Sequence, residues 1–256
     1  MTSHLNSPFH LRPAKPTPTD HAFILSAFDS SLPLLASIGS HEQWGSTPFS
    51  QRGDFPQETL KELDQSEEYR LTGKSNMDSL RIFIVEREYH HDDEEHTESL
   101  SSHLRVTSDG QCFLPVGFAY VRENWIPNSE IGGFLYLEVM VTDSRVGRLC
   151  RGAGAALIRG MREYGQGRGM KALWVDGWAG NERKLIRYYE QQGFRAVGDW
   201  SHTRANNVPC CIWFHPRLAS TVGKLAGHAR MTTDTIYLSF QMRANAQDVA
   251  QASRPA

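Results

Sequence analysis

Six residues, Arg151-Gly152-Ala153-Gly154-Ala155-Ala156, constrain this chain more than any others. They follow a strand-like run, 134–141, and open an amphipathic stretch, 152–164. That stretch sets Ala153, Leu157, Met161 and Tyr164 on one face and Arg159, Arg162 and Glu163 on the other. Residues this small leave the backbone bare where strand turns into helix. The free N–H groups of the first helical turn then face an incoming anion, and Arg151 adds a permanent positive charge. A diphosphate is the natural ligand of such a nest. The same small residues would also serve a helix that only packs closely on a sheet, and a lone Gly-x-Gly does not separate the two.

The remaining pattern is strand, helices, three strands, then alternating helix and strand. Residues 9–12 read as a first strand, and Thr19 or Asp20 as the cap of a helix through Phe28. A second short helical piece is expected at 32–38, an amphipathic helix at 56–69, and strands at 80–85, 115–122 and 134–141. Beyond the long helix come a buried strand at 172–175 and a helix capped by Asn181. Leu185, Ile186, Tyr188 and Tyr189 form the inner face of that helix, and Gly193 stops it. Strands are expected at 194–200 and 235–243. Residues 1–8 and 244–256 read as flexible tails around one α/β (α+β) domain, 9–243, with a polar insertion at 90–102.

Composition narrows the partners. A net charge of -2, from 27 basic and 29 acidic side chains, gives no phosphate-neutralising surface, so nucleic acid is not an expected partner. No apolar run reaches the ~18 residues that span a bilayer, so no membrane association is expected. Four cysteines without a CxxC pair read as reduced thiols, and the expected compartment is the cytoplasm. The run from His90 to His96 lacks a turning glycine, so it reads as solvated chain, with no metal expected.

Three segments in order resemble the GNAT superfamily of N-acetyltransferases. The family's phosphate motif, Gln/Arg-x-x-Gly-x-Gly/Ala, is met by Arg151, Gly154 and Ala156. The run from Asn181 to Phe194 resembles its helix ending in Tyr-Glu-x-x-Gly-Phe, and 11–14 its N-terminal Leu-Arg-Pro-Ala. The spacing from Val141 to Arg151 is a few residues longer than the family's, so a bulge is expected at 143–150.

The resemblance implies a mixed, mainly antiparallel sheet of about six or seven strands, splayed where acetyl-coenzyme A binds. It places the cofactor against Val139, Met140 and Val141, with main-chain groups of Val139 and Val141 bonding its arm. The loop from Arg151 through Gly152, Ala153, Gly154 and Ala155 to Ala156 takes the diphosphate, and Asn181 contacts the arm. Tyr189 protonates the departing thiolate. Glu138 is the candidate general base, since an amine of pKa ~10.4 costs about 4–5 kcal/mol to deprotonate at neutral pH. A strand glutamate paired with an arginine is the competing reading of Glu138. The Trp44 loop either overlies the acceptor cleft or plugs the core. The acceptor implied is a primary amine, a small molecule in preference to a protein. Two alternatives stand: an NAD(P)-dependent oxidoreductase using Gly152, Gly154 and Asp176, or a catalytically inactive coenzyme A-binding module.

Overall fold

A computed structural model describes residues 7–74, 79–90, 103–123, 133–201 and 209–215. In chain order the elements are β1 (Phe9–Pro13), α1 (Pro18–Ser37), α2 (Phe55–Thr72), β2 (Leu80–Glu88), β3 (Arg105–Val106), β4 (Cys112–Glu123) and β5 (Phe134–Thr142). Then follow α3 (Ala153–Gly167), β6 (Ala172–Trp178), α4 (Gly180–Gln191), β7 (Arg195–Ser201) and β8 (Pro209–His215). One sheet runs in the order β1-β2-β4-β5-β6-β8-β7, with the two-residue β3 paired to the start of β4. Every neighbouring pair is antiparallel except β5 and β6, which α3 joins as a parallel crossover. This mixed, mainly antiparallel α/β sheet is the expected architecture. It sets aside the dinucleotide-binding oxidoreductase, whose sheet would be parallel with the glycine loop at its first crossover.

Alternation along the strands divides the core into two layers. Leu80, Ile82, Ile84, Phe118 and Tyr120 face α1 and α2, where Phe23, Ile24, Phe28 and Leu63 are buried. Leu135, Leu137, Ala119, Val121 and Val175 face α3 and α4, against Leu157, Ile158, Met161, Ile186 and Phe194. Each such large side chain stabilises the fold by about 1.5–3 kcal/mol on burial. Glu123, at the end of β4, ties the layers together. Its buried carboxylate accepts from Tyr69 of α2 at 2.8 Å, Tyr164 of α3 at 2.5 Å and Arg168 at 3.1 Å.

Several local expectations are corrected. The N-cap of α1 is Thr17, whose hydroxyl accepts from the Asp20 N–H. Asp20 is instead gripped bidentately by Arg12, at 2.8 Å on each oxygen. The helix expected through Phe28 and the short piece expected at 32–38 are one helix, which runs through Pro33 and is held by buried Phe28 and Leu32. The antiparallel partner of both β6 and β7 is β8, which lies between the two last strands expected, at 194–200 and 235–243. Asn181 does not cap α4; it begins a left-handed turn, with φ of 48°, 53° and 61° at Asn181, Glu182 and Arg183. The strand at 235–243, most of the polar insertion and the C-terminal tail lie outside the described residues.

Candidate active site

The site begins where a ladder stops. β5 and β6 pair only from Phe134↔Ala172 to Leu137↔Val175, yet β5 continues to Thr142 and β6 to Trp178. On its other edge β5 stays paired with β4, through a bulge that passes from Val121↔Leu137 to Tyr120↔Val139 and leaves Glu138 unopposed. A bulge bends and twists its strand, and here it turns β5 away from β6. A gap bordered by main chain results.

Strand geometry decides which groups face this gap. The Asp143 N–H donates to the Val116 carbonyl at 2.9 Å, toward β4. The Val141 carbonyl also points to β4, lying 2.7 Å from where a Cβ on Gly117 would stand. Since N–H and C=O directions alternate along a strand, Val139 and Val141 spend theirs on β4. Met140 and Thr142 aim theirs into the gap. The expected trio thus splits: the middle residue and its neighbour two on present the main chain, and Val139 and Val141 turn their side chains toward α1 and α2.

At the end of β5 the chain coils through a 3-10 stretch, Ser144–Cys150, broken at Gly147. Here lies the expected bulge, plugged into the core by buried Val146 and Leu149 and fixed by the Arg145–Asp143 pair at 2.7 Å. Gly152 follows at φ 92°, a left-handed turn that a side chain would strain. Its carbonyl takes the first helical bond of α3, from the Ala156 N–H, so the N–H groups of Ala153, Gly154 and Ala155 have no intrahelical acceptor. Arg148 and Arg151 are exposed beside this turn. The donors and cations present fit a diphosphate, and the bare edge of β5 fits an extended amide-bearing arm; together these are the requirements of acetyl-coenzyme A. Gly154 itself is buried, and its Cα lies against the hydroxyl of Tyr188. The room at that glycine is therefore taken first by a tyrosine.

Tyr189 sits on the buried face of α4. Its ring lies 5.5 Å from Phe194 and against the Cα of Gly177, beneath β6. Burial pushes its hydroxyl pKa well above the ordinary tyrosine value, and the Asp176 charge adds to the shift. The hydroxyl thus stays protonated at neutral pH.

Glu138 is not isolated. Arg122 Nε donates to its Oε2 at 2.7 Å, both side chains being nearly buried. The competing reading of this residue, an ion-paired strand glutamate, is what the geometry presents. A different carboxylate lies at the mouth of the gap. Asp176, half-buried on β6, accepts from the Tyr136 hydroxyl at 2.6 Å, on the sheet face opposite Tyr189. In the sequence Asp176 stands out only as a ribose contact of the alternative oxidoreductase reading. Strict alternation from Ala172 to Trp178 was the signal for its true position, since it sets Trp174, Asp176 and Trp178 together on one face.

Asn181 donates both hydrogens of its carboxamide to the segment after α1. Trp44 packs edge-on to Phe28 at 6.0 Å and Phe49 at 5.6 Å, so it plugs the α1 layer. Among the described residues there is no cluster of three or more metal-ligating side chains, and no helix long and apolar enough to cross a membrane.

No family model matches the chain, and no curated protein matches it by sequence. Solved structures do. One is a Desulfovibrio desulfuricans protein assigned to the GNAT family of acetyltransferases, at 13% identity and TM-score 0.48, over 82% of this chain and 99% of that one. Another is yncA of Salmonella typhimurium with its cofactor acetyl-CoA, at 12% identity and TM-score 0.49, over 86% and 100% of the two chains. A third is aminoglycoside acetyltransferase AAC(6')-Ib with coenzyme A, at 17% identity and TM-score 0.48, over 82% and 95%. At these identities, and with TM-scores of 0.48 to 0.49, the likenesses carry no argument about activity, and what the site can do follows from this chain's own strands and side chains.

Proposed function

We propose that this chain is an acetyl-coenzyme A-dependent N-acetyltransferase acting on a small primary amine. The observation that carries this reading is the parting of β5 from β6 beyond Leu137 and Val175, directly in front of the bare first turn of α3. One element offers unpaired main chain to an extended arm, and the other offers N–H groups to its diphosphate.

Acetyl-coenzyme A would supply an acetyl thioester, whose carbonyl carbon an amine attacks as the C–S bond breaks and the thiol departs. The residues of the chain divide that work. The Met140 N–H, aimed into the gap, donates toward negative charge developing on the thioester oxygen. Arg151, Gly152, Ala153, Gly154, Ala155 and Ala156 hold the diphosphate end. The protonated Tyr189 hydroxyl, on the α4 side, is the donor to the leaving sulfur. Asp176, on the opposite face, is the carboxylate that receives the amine's proton, directly or through water, and it replaces Glu138 in that role because Arg122 holds the glutamate. Aromatic side chains of Tyr136, Trp174 and Trp178 share the face with Asp176, a setting that suits a compact ammonium group.

Release of free thiol from acetyl-coenzyme A in the presence of a panel of amines tests the reading. Turnover with at least one amine is expected. Tight coenzyme A binding without turnover on any amine would instead favour the inactive binding module.

A further inference from the structure

We infer that Asn181 and Ser40 form a positioning latch, by which the turn between β6 and α4 sets the seat of the segment following α1. That this segment borders the acceptor rests on the acetyltransferase reading; the latch itself does not.

The Asn181 Nδ2 donates to the Ile38 carbonyl and to Ser40 Oγ, each at 2.7 Å, across 143 and 141 residues of chain. A carbonyl only accepts, so the amide nitrogen must face Ile38, and both its hydrogens are committed. Ile38 is the C-cap of α1, where the last carbonyls lack helical donors. Asn181 thus completes the end of a helix distant in sequence. Ser40 is buried, so its end of the latch is sheltered, whereas the bond to the Ile38 carbonyl is exposed.

The other end of the latch is held in an unfavourable backbone. Asn181, Glu182 and Arg183 are all left-handed, and L-residues keep such geometry only where surroundings over-determine it. The surroundings here are the Arg183–Asp199 pair at 2.8 Å, the Arg187 guanidinium on the Glu182 carbonyl, and the two bonds of Asn181. Beyond Ser40 the segment carries exposed His41 and Glu42 before Trp44 enters the α1 layer. Arg52 fixes its far side by donating to the Trp44 carbonyl at 2.7 Å. The latch ties this segment to the turn that follows β6, and a change in that turn is passed to the segment through the Asn181 carboxamide.

Two readouts test the latch on the full chain. Ser40→Ala and Asn181→Gly, the latter keeping the left-handed backbone accessible, should each speed amide exchange at 39–45 by about tenfold, the equivalent of one lost hydrogen bond. Ser40→Thr should restore protection. Unchanged exchange in both variants overturns the latch, whether or not the protein transfers acetyl groups. With an amine substrate in hand, Ser40→Ala should raise the amine KM while leaving the acetyl-coenzyme A KM unchanged. A rise confined to the acetyl-coenzyme A KM overturns the positioning role.

Discussion

Tyr136 and Asp176 span the point at which β5 and β6 part: the tyrosine hydroxyl donates to the carboxylate at 2.6 Å, one residue before the last paired position. A phenol on the closed side thereby fixes a carboxylate on the open side. Replacing Asp176 with Asn keeps the shape and removes the proton acceptor. Turnover at neutral pH should fall by about 10²–10⁴-fold, and the acid limb of the pH–rate profile should disappear. A retained acid limb in Asp176→Asn would exclude the role.

Glu138→Gln should behave differently. Removing one charge of this nearly buried pair should destabilise the fold, by up to about 3–5 kcal/mol. Denaturant unfolding should report that loss, while the folded fraction keeps the acid limb. Normal stability with a lost limb would restore Glu138 as the base.

Gly154 is predicted to serve Tyr188 as well as the diphosphate. A methyl group at 154 would overlap the Tyr188 hydroxyl, but would stand 3.4 Å from the ring carbon that bears it. Gly154→Ala should therefore be destabilised, and adding Tyr188→Phe should recover most of the lost stability in thermal melts. Gly154→Val should weaken coenzyme A binding by more than about tenfold, a loss above 1.4 kcal/mol, read by calorimetry. Wild-type affinity in folded Gly154→Val would remove the loop from the cofactor site.

Tyr189→Phe should keep the ring packing against Phe194 and the cofactor affinity, and lower turnover by roughly 10²-fold or less, because a thiolate leaves readily. Burial raises the hydroxyl pKa, so the proton is retained as pH rises through the ordinary tyrosine range. No alkaline decline in rate below about pH 10 should therefore trace to Tyr189. Stopped-flow measurement under saturating cofactor checks both points.

Acid stability should depend on Glu123. Burial alone would raise its pKa, but hydrogen bonds from Arg168, Tyr164 and Tyr69 outweigh it and hold the carboxyl below its ordinary 4.5. The folded state then binds the proton less readily than the unfolded chain. Its stabilising contribution is complete above the ordinary value and disappears as pH falls toward the lower folded one. Urea midpoints of the wild type should drop on acidification below 4.5, and those of Glu123→Gln should fall less steeply.

Elements whose side chains obey a period were legible in the sequence: the α3 stripe of Leu157 and Met161, and the buried β4 and β5. The glycine-rich opening of α3 was legible as a strand-to-helix turn, and Gly152 takes there the left-handed conformation that glycine adopts without strain. What escaped depends on contacts between distant segments. Glu138 sits at a bulge, and the one-residue offset it introduces reverses which of its neighbours present main chain to the gap. Asn181 has the composition of a cap, yet its amide serves the end of α1, a partner 143 residues away. Local propensity carries no trace of either.

The open edge of β5 has a consequence for how this chain tolerates change. The groups it presents at Met140 and Thr142 belong to the backbone, and every amino acid except proline supplies the same donor. Scanning these positions with alanine should thus look almost silent, as though the residues were idle. Only Met140→Pro or Thr142→Pro, or an ester in place of the amide, deletes what matters. Side chains at these positions pack toward α3, so they are free to vary in shape while the grip of the main chain stays constant.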